Sequence, residues 1–522
     1  MSSDTRRLLL VHTQLLKQRT PCENISRRRE NTVMRAILSI DQGTTNSKAI
    51  LVSETGELLA RGSSPVGITY PQPGWVEQDP NRIWASVREA ISACLGAAPS
   101  TTDVAAISIS NQRESVTIWD GETGQPLGPV LSWQCRRTSQ DCAELIEKGH
   151  SERVMALTGL PIDPMFPGAK MRWLLERAPK GRKLRLGTID SWLIHCLTGG
   201  KVHACDASNA ARSQVLDLNQ QVWSEELCDL FGIDINTLPD LRDSSGDFGT
   251  TSGVPGIKDG TPILAAIGDS HAALFGHGAF NPGDGKVTFG TGSSVMTTLP
   301  HFIAPERGIT TTVAWRLSGK PTFAFEGNIL VSAASLPWMT DILGLPDVAA
   351  LVELAATAEA NGPGFVPAFV GLGAPYWDTN ARALFSQINF STTRAQMARA
   401  VTDSIAFQVH DVFAAMRAQS PSGFGRLFVD GGPSQNRFLM QCVADMLEHP
   451  VIQRDAPEAS ALGAAYLAGL ALGVWSDLDS VAALNSNGNT IAPSASENSQ
   501  RLSVWRDAIA RSTLPVTSSN GE

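Results

Sequence analysis

The segment "RAILSIDQGTTNSKAILV" (residues 35–52) consists of two β-prone, apolar runs separated by a polar turn, with Asp41 ending the first run. Ile, Leu and Val bounded by Gly and Asn read as two strands of a hairpin. A similar pattern returns in "GKVTFGTGSSVMTT" (residues 285–298), where Gly-Thr again sits between hydroxyl-rich strand segments. Two hairpins of one type, about 245 residues apart, predict two related domains facing a shared cleft.

Strand and helix signals alternate outward from the first hairpin, which points to an α/β architecture. "AAISISNQRE" from Ala105, "PILAAIGDS" ending at Asp269 and "RLFVDGG" ending at Asp430 are strands that stop at polar groups or glycines. That places functional groups at the carboxyl edge of a sheet, where open α/β folds hold ligands. "STTRAQMARAVTDSIAFQVHDVFAAMRAQS" carries cap candidates and then Met397, Val401, Ile405, Val409, Val412 and Met416, one apolar helical stripe. Gly and Pro cluster in "GHGAFNPGDGK" (276–286), so the expected domains are 34–280 and 281–515. "NSNGNTIAPSASENSQ" reads as a polar loop before a last short helix at 504–509. Residues 1–33 are basic, and the expectation is an extension that precedes ordered sequence starting at Met34.

Bulk properties narrow the function. The 522 residues have a net charge of −9, which argues against nucleic acid or an anionic membrane as a general partner. No stretch is long and apolar enough to cross a bilayer; "ASALGAAYLAGLALGV" from Ala459 is too short and too rich in small residues, and reads as a tightly packed buried helix. Eight scattered cysteines without a CxxC pair suggest free thiols in a reducing cytoplasm, and the histidines lack metal-ligand spacing.

The glycine-rich turns are not a P-loop or a dinucleotide fingerprint. "DQGTTNSK" instead offers a close backbone approach at Gly43, donors at Thr44, Thr45 and Asn46, and a positive charge at Lys48. Asp41 would repel a phosphate unless it holds Mg²⁺ directly or through water. A second donor turn carries Thr291 and Gly292, and "VDGGPSQN" supplies a glycine platform for a nucleotide. These pieces in this order resemble the phosphate and adenosine elements of the actin-like ATPase superfamily.

"DQGTTNSKA", "YPQPGWVEQDP", "NQRES", "WQCRRT", "PAFVGLGAPYWD" and "ALGAAYLAGLA" resemble the FGGY carbohydrate kinases, and among them the glycerol kinases, over residues 34–475. The resemblance implies two actin-like (ribonuclease H-like) domains and transfer of the γ-phosphoryl of ATP, with Mg²⁺, to glycerol or a glycerol-like polyol. A tetritol, ketopentose or other small sugar is the alternative. By resemblance Thr44, Thr45, Asn46, Lys48, Thr291 and Gly292 hold phosphates, Gly432 and Asn436 meet adenosine, and Asp41 and Asp269 serve the metal. Arg113, Glu114 and Trp133 bind the acceptor, and Asp269 is the catalytic base. Two acceptor contacts of glycerol kinases are changed here, a tyrosine to Met165 and a glutamine to Ser270, which leaves room for a longer polyol or small sugar. On the purine side a glycine and a glutamine are replaced by Ala333 and Pro337. "GIKDGTPI" lacks the arginine used for fructose-bisphosphate inhibition. The family's habit of forming dimers or tetramers makes a homodimer or homotetramer the expectation.

Other chemistries fit less well. Asp269, Ser270 and His271 in "AAIGDSHAALFG" (265–276) have the residue types of a hydrolase triad. Consecutive residues on a helix diverge by about 100°, so they form no relay with one another, and no GxSxG elbow is present. A non-catalytic binding module would not need Arg113, Glu114, Trp133 and Asp269 together.

Overall fold

The computed structural model describes residues 34–306, 308–359, 361–454, 458–484, 488–494 and 498–513. The expectation for residues 1–33 falls outside them. The first hairpin is β1 (Met34–Gln42) and β2 (Asn46–Ser53), followed by β3 (Leu58–Pro65), β4 (Thr102–Asn111) and β5 (Ile263–Gly268). They form one sheet in the order β5-β4-β1-β2-β3. β1, β4 and β5 run parallel, while β2 and β3 are antiparallel additions. Ile37, Leu38 and Ile40 are all buried, as expected of a parallel strand covered on both faces.

The second sheet contains β6 (Gly285–Phe289), β7 (Ser293–Leu299), β8 (Thr310–Leu317), β9 (Lys320–Ile329), β10 (Leu427–Asp430), β11 (Val451–Gln453) and β12 (Asn489–Ile491). Its order is β8-β9-β7-β6-β10-β11-β12. Within it β9-β7-β6-β10-β11 repeats the first sheet's layout, with β6, β10 and β11 parallel and β7 and β9 antiparallel. The echo between the two hairpins is therefore a repeated topology, giving a two-domain α/β fold with mixed sheets.

Helices follow their local signals. α1 (Pro80–Ala97) starts with Pro80 after Asp79, whose carboxylate accepts from Asn81 N. α2 (Asp269–Gly276) begins directly after β5. α3 (Arg394–Gln419) has a capping box between Thr393 and Gln396, and its predicted stripe is buried except for Met397, which packs partly exposed against the core. α4 (Arg437–Leu447) follows β10, and α5 (Ala459–Leu472) is the Ala- and Gly-rich helix, buried as expected. α5 packs against α2 and shares an apolar cluster with residues of both sheets, including Ile37, Ile267 and Phe428. A Cβ on Gly463 would stand 1.9 Å from the carbonyl of Ala272, so the two helix backbones touch directly.

The chain's end departs from its expected reading. The presumed polar loop contains β12, which pairs with β11, because Ile491 offers an apolar side chain to the sheet edge. The last helix runs Ser499–Ser512, longer than 504–509, because Trp505, Ala508 and Ile509 bury its inner face.

Candidate active site

A cleft of about 1020 Å³ opens where the carboxyl ends of β1, β4, β5, β6 and β10 converge, and both domains line it. Of the expected residues, Asp41, Thr44, Thr45, Lys48, Arg113, Glu114, Trp133, Met165, Asp269, Ser270, Thr291, Gly292 and Gly432 all line it. Asn46 and Asn436 do not; the Asn436 side chain accepts from Leu439 N and caps α4. Ala333 and Pro337 are also outside the lining.

The two turns are built for close approach. In the first, Gly43 N donates to Asn46 O at 3.0 Å, and Thr44 Oγ1 accepts from Trp133 Nε1 at 3.0 Å. The phosphate turn and the acceptor wall are thus physically joined. Lys48 lies beside it, paired with Glu458 at 2.9 Å. In the second, Gly290 N donates to Gly292 O at 2.8 Å, and a Cβ at Gly292 would meet Ile329 O at 2.4 Å. Only glycine fits there.

Asp269 starts α2 with its carboxylate 38% exposed to the cleft. Its Oδ1 accepts from Arg113 Nε at 3.1 Å and from Ser270 N at 2.6 Å. Both bonds fall on one oxygen, which leaves Oδ2 to take a proton from a bound hydroxyl. Burial raises its pKa above the usual carboxylate value, against the pull of Arg113. His271 points elsewhere, buried with its Nε2 3.3 Å from Thr312 Oγ1, and makes no relay with Asp269.

Behind the base lies a charge network that local sequence patterns did not reveal. Glu326, fully buried in β9, pairs with Arg113 and Arg212, each at 2.8 Å, and Arg212 pairs with Glu114 at 2.6 Å. Arg113 and Arg212 hold the Glu326 carboxyl far below its ordinary pKa in spite of burial. Glu114 itself has φ of 59°, a left-handed conformation costing about 1–3 kcal/mol, held by its partner Arg212. Lys170 donates to the carbonyls of Glu114, Ser132 and Met165 at 3.3, 2.8 and 2.7 Å, tying together the three segments of the acceptor wall. Burial pushes its pKa down to about 7. Lys286 Nζ donates to Ser270 Oγ at 2.9 Å and to Thr288 Oγ1 at 2.7 Å. Asp430, at the end of β10, is bonded to His277 at 2.6 Å.

The donor set suits Mg²⁺. Asp41 faces the same cleft as Asp269, and burial pushes its pKa up to about 6, with the charge of Asp269 adding to the rise. Two carboxylates sharing a cleft call for a positive counter-charge. No cluster of three His, Cys, Asp or Glu ligands occurs among the described residues. Mg²⁺ needs none, since it takes one or two carboxylates and fills its shell with water and phosphate oxygens.

A duplicated sheet, a donor-rich turn from each copy and a half-open carboxylate between them define a phosphotransferase of the actin-like fold. Comparison with known proteins sharpens this. Residues 36–276 match the N-terminal domain, and residues 285–472 the C-terminal domain, of the FGGY family of carbohydrate kinases. The chain belongs to this family and is an ATP-dependent kinase acting on an alcohol group of a small polyol or sugar. It is 45% identical to an apulose kinase of Pectobacterium atrosepticum, over 92% of this chain and 98% of that one. It is 43% identical to glycerol kinase 2 of Thermotoga maritima, over 92% and 99% of the respective chains. Among solved structures, a Plasmodium falciparum glycerol kinase with ADP superposes with a TM-score of 0.87 at 29% identity, covering 92% of this chain and 99% of that one.

Proposed function

We propose that the enzyme phosphorylates a hydroxyl of a small polyol or ketose somewhat larger than glycerol, with Asp269 as base. The observation that carries this is the acceptor side of the cleft, where Ser270, Ser294 and Lys286 stand together and Met165 offers no hydroxyl. Arg113 and Glu114 supply a donor and an acceptor for adjacent hydroxyls, and Trp133 covers the carbon chain. Glycerol itself is the second reading, favoured by the glycerol kinase relatives. The apulose kinase relative favours a small ketose.

Asp269 Oδ2 takes the proton as the acceptor oxygen attacks the γ-phosphorus and the bond to the β-bridging oxygen breaks, releasing ADP. Donors at Thr44, Thr45, Lys48, Thr291 and Gly292 align the phosphates, and Gly432 lets the adenosine rest on its turn. Asp41, with Asp269, would hold Mg²⁺, which supplies charge neutralisation to the phosphates. Residues 34–280 carry the acceptor wall and first turn, and 281–515 the second turn and nucleotide platform. The scattered cysteines fit a cytoplasmic setting; a homodimer or homotetramer is the proposed assembly, checked by sedimentation.

Acceptor-dependent ADP release across glycerol, tetritols, pentitols and ketoses tests the reading. Stimulation by at least one is expected, and Asp269→Asn should nearly abolish it while ATP still binds. No stimulation by any acceptor, or substantial turnover by the variant, refutes it.

A further inference from the structure

Lys286 is an unusual residue to find in β6. It is 1% exposed, yet its ammonium reaches the cleft between the second phosphate turn and the base. Two of its three hydrogens are committed, one to Thr288 Oγ1 and one to Ser270 Oγ. An ammonium can only donate and a carboxylate can only accept. That asymmetry matters because Ser270 is not the end of a chain. Ser270 Oγ lies 3.1 Å from Ser294 Oγ, and Ser294 Oγ donates to Glu326 Oε1 across a long 3.5 Å. Glu326 is held ionised by Arg113 and Arg212, so it remains an acceptor. With a donor at one end and an acceptor at the other, the arrangement that satisfies both ends runs head to tail through the two serine hydroxyls. Ser270 gives its hydrogen to Ser294, and Ser294 gives its hydrogen to Glu326.

Each serine oxygen then has one lone pair left and no hydrogen to spare. We propose that Lys286 is a positioning residue that, through Ser270 and Ser294, turns this side of the acceptor pocket into a pair of hydrogen-bond acceptors selecting an additional hydroxyl on the substrate. The substrate class follows from that polarity. A neutral polyol or sugar with a hydroxyl beyond the three of glycerol satisfies the lone pairs. A sugar acid brings a carboxylate that cannot donate, and a deoxy analogue leaves both oxygens unpaired. Polar pockets discriminate strongly against analogues that leave their groups unsatisfied. This rests on the reading that Ser270 lines the acceptor pocket of a kinase, and it adds Lys286, Ser294 and Glu326 to the determinants of specificity.

The test compares kcat/KM for glycerol with that for erythritol, threitol, xylulose and ribulose, and for the matching deoxy compounds and erythronate. In the wild-type enzyme at least one of the four longer acceptors should exceed glycerol, and its deoxy and carboxylate counterparts should fall at least tenfold below it. Ser294→Ala, Ser270→Ala and Lys286→Met should each reduce the preference for that acceptor over glycerol about tenfold, through acceptor KM more than kcat, with the KM for ATP unchanged. Lys286→Arg should recover part of the preference. Should Lys286→Met fail to fold, the two serine variants carry the test. A wild-type enzyme that phosphorylates no polyol or sugar overturns the kinase reading and this proposal together. A preference left intact in the serine variants, equal use of erythronate, or glycerol as the best acceptor overturns the proposal alone.

Discussion

Replacing Gly463 by alanine perturbs catalysis from outside the cleft. An ideal Cβ there would lie 1.9 Å from Ala272 O and 2.9 Å from Gly276 N, whereas real Cβ contacts are essentially never below 3.0 Å. The obstacles are backbone atoms, which cannot swing away as a side chain can. α2 and α5 must therefore part by about 1 Å. Overpacking of this kind costs about 1–3 kcal/mol, which lowers Tm by only about 1–3 °C in a chain of this size. The larger effect is on turnover. Asp269 is the first residue of α2, on the helix that must move. Misplacing a catalytic group by about 1 Å costs on the order of a hundredfold. Steady-state ADP release at saturating ATP and acceptor gives kcat, and calorimetry gives Tm. Gly276→Ala, whose Cβ would meet Ala459 O at 2.5 Å, should act similarly but more mildly. Gly96→Ala, with nothing within 4 Å, is the control and should match the wild type. A Gly463→Ala protein with reduced Tm but kcat within threefold of wild type would show that the helix contact does not position the base.

Two other outcomes follow from buried charge. The Asp41 carboxyl has its pKa raised to about 6 from a usual 3.8, so its ionisation disfavours the folded state above pH 6 and that cost vanishes below pH 4. Asp41→Asn should stabilise the Mg²⁺-free enzyme at pH 8 by at most about 3 kcal/mol, and much less at pH 4.5; calorimetry showing an equal gain at both would refute the cause. Lys170 is shifted the other way, to about 7, so its unfolded form binds the proton more tightly and its contribution to stability improves as pH rises from 7 towards 10.5. As pH passes through 7 the folded amine drops to two hydrogens, one fewer than the carbonyls it ties. Acceptor KM should therefore climb between pH 6 and 8, whereas Lys170→Met should show a KM already raised about tenfold and flat across that range. A pH-independent wild-type KM would count against the tether.

The parts of the site legible in sequence were those carried by contiguous residues. Asp41 with its turn, Arg113-Glu114 after β4 and Asp269 after β5 are each a strand end followed by polar residues, a pattern visible without neighbours. Lys286, Arg212, Glu326 and Lys170 were not visible, because each is a lone charge whose meaning comes from residues far along the chain. Glu326 lies in "KPTFAFEGNI", and a carboxylate amid the phenylalanines of a buried strand was the one local hint of a partner. Lys286 sits in "GDGK", which lacks the first glycine and the following Ser or Thr of a P-loop, so the local sequence assigns it no role. β12 was missed because a three-residue edge strand in a polar segment has almost no periodicity to read.

The packing of α5 also bears on how the protein is made. The apolar face of the first sheet, with Ile37 and Ile267, is covered by a helix that begins at Ala459. A ribosome that has just finished residue 280 has therefore synthesised every strand of that sheet but not the helix that covers it. At about 5–20 residues per second the wait is roughly 10–40 s. Throughout that interval the nascent first domain displays unsatisfied apolar surface, a natural target for chaperones. A fragment ending near residue 280 would stay in that state permanently, and aggregation is its expected fate.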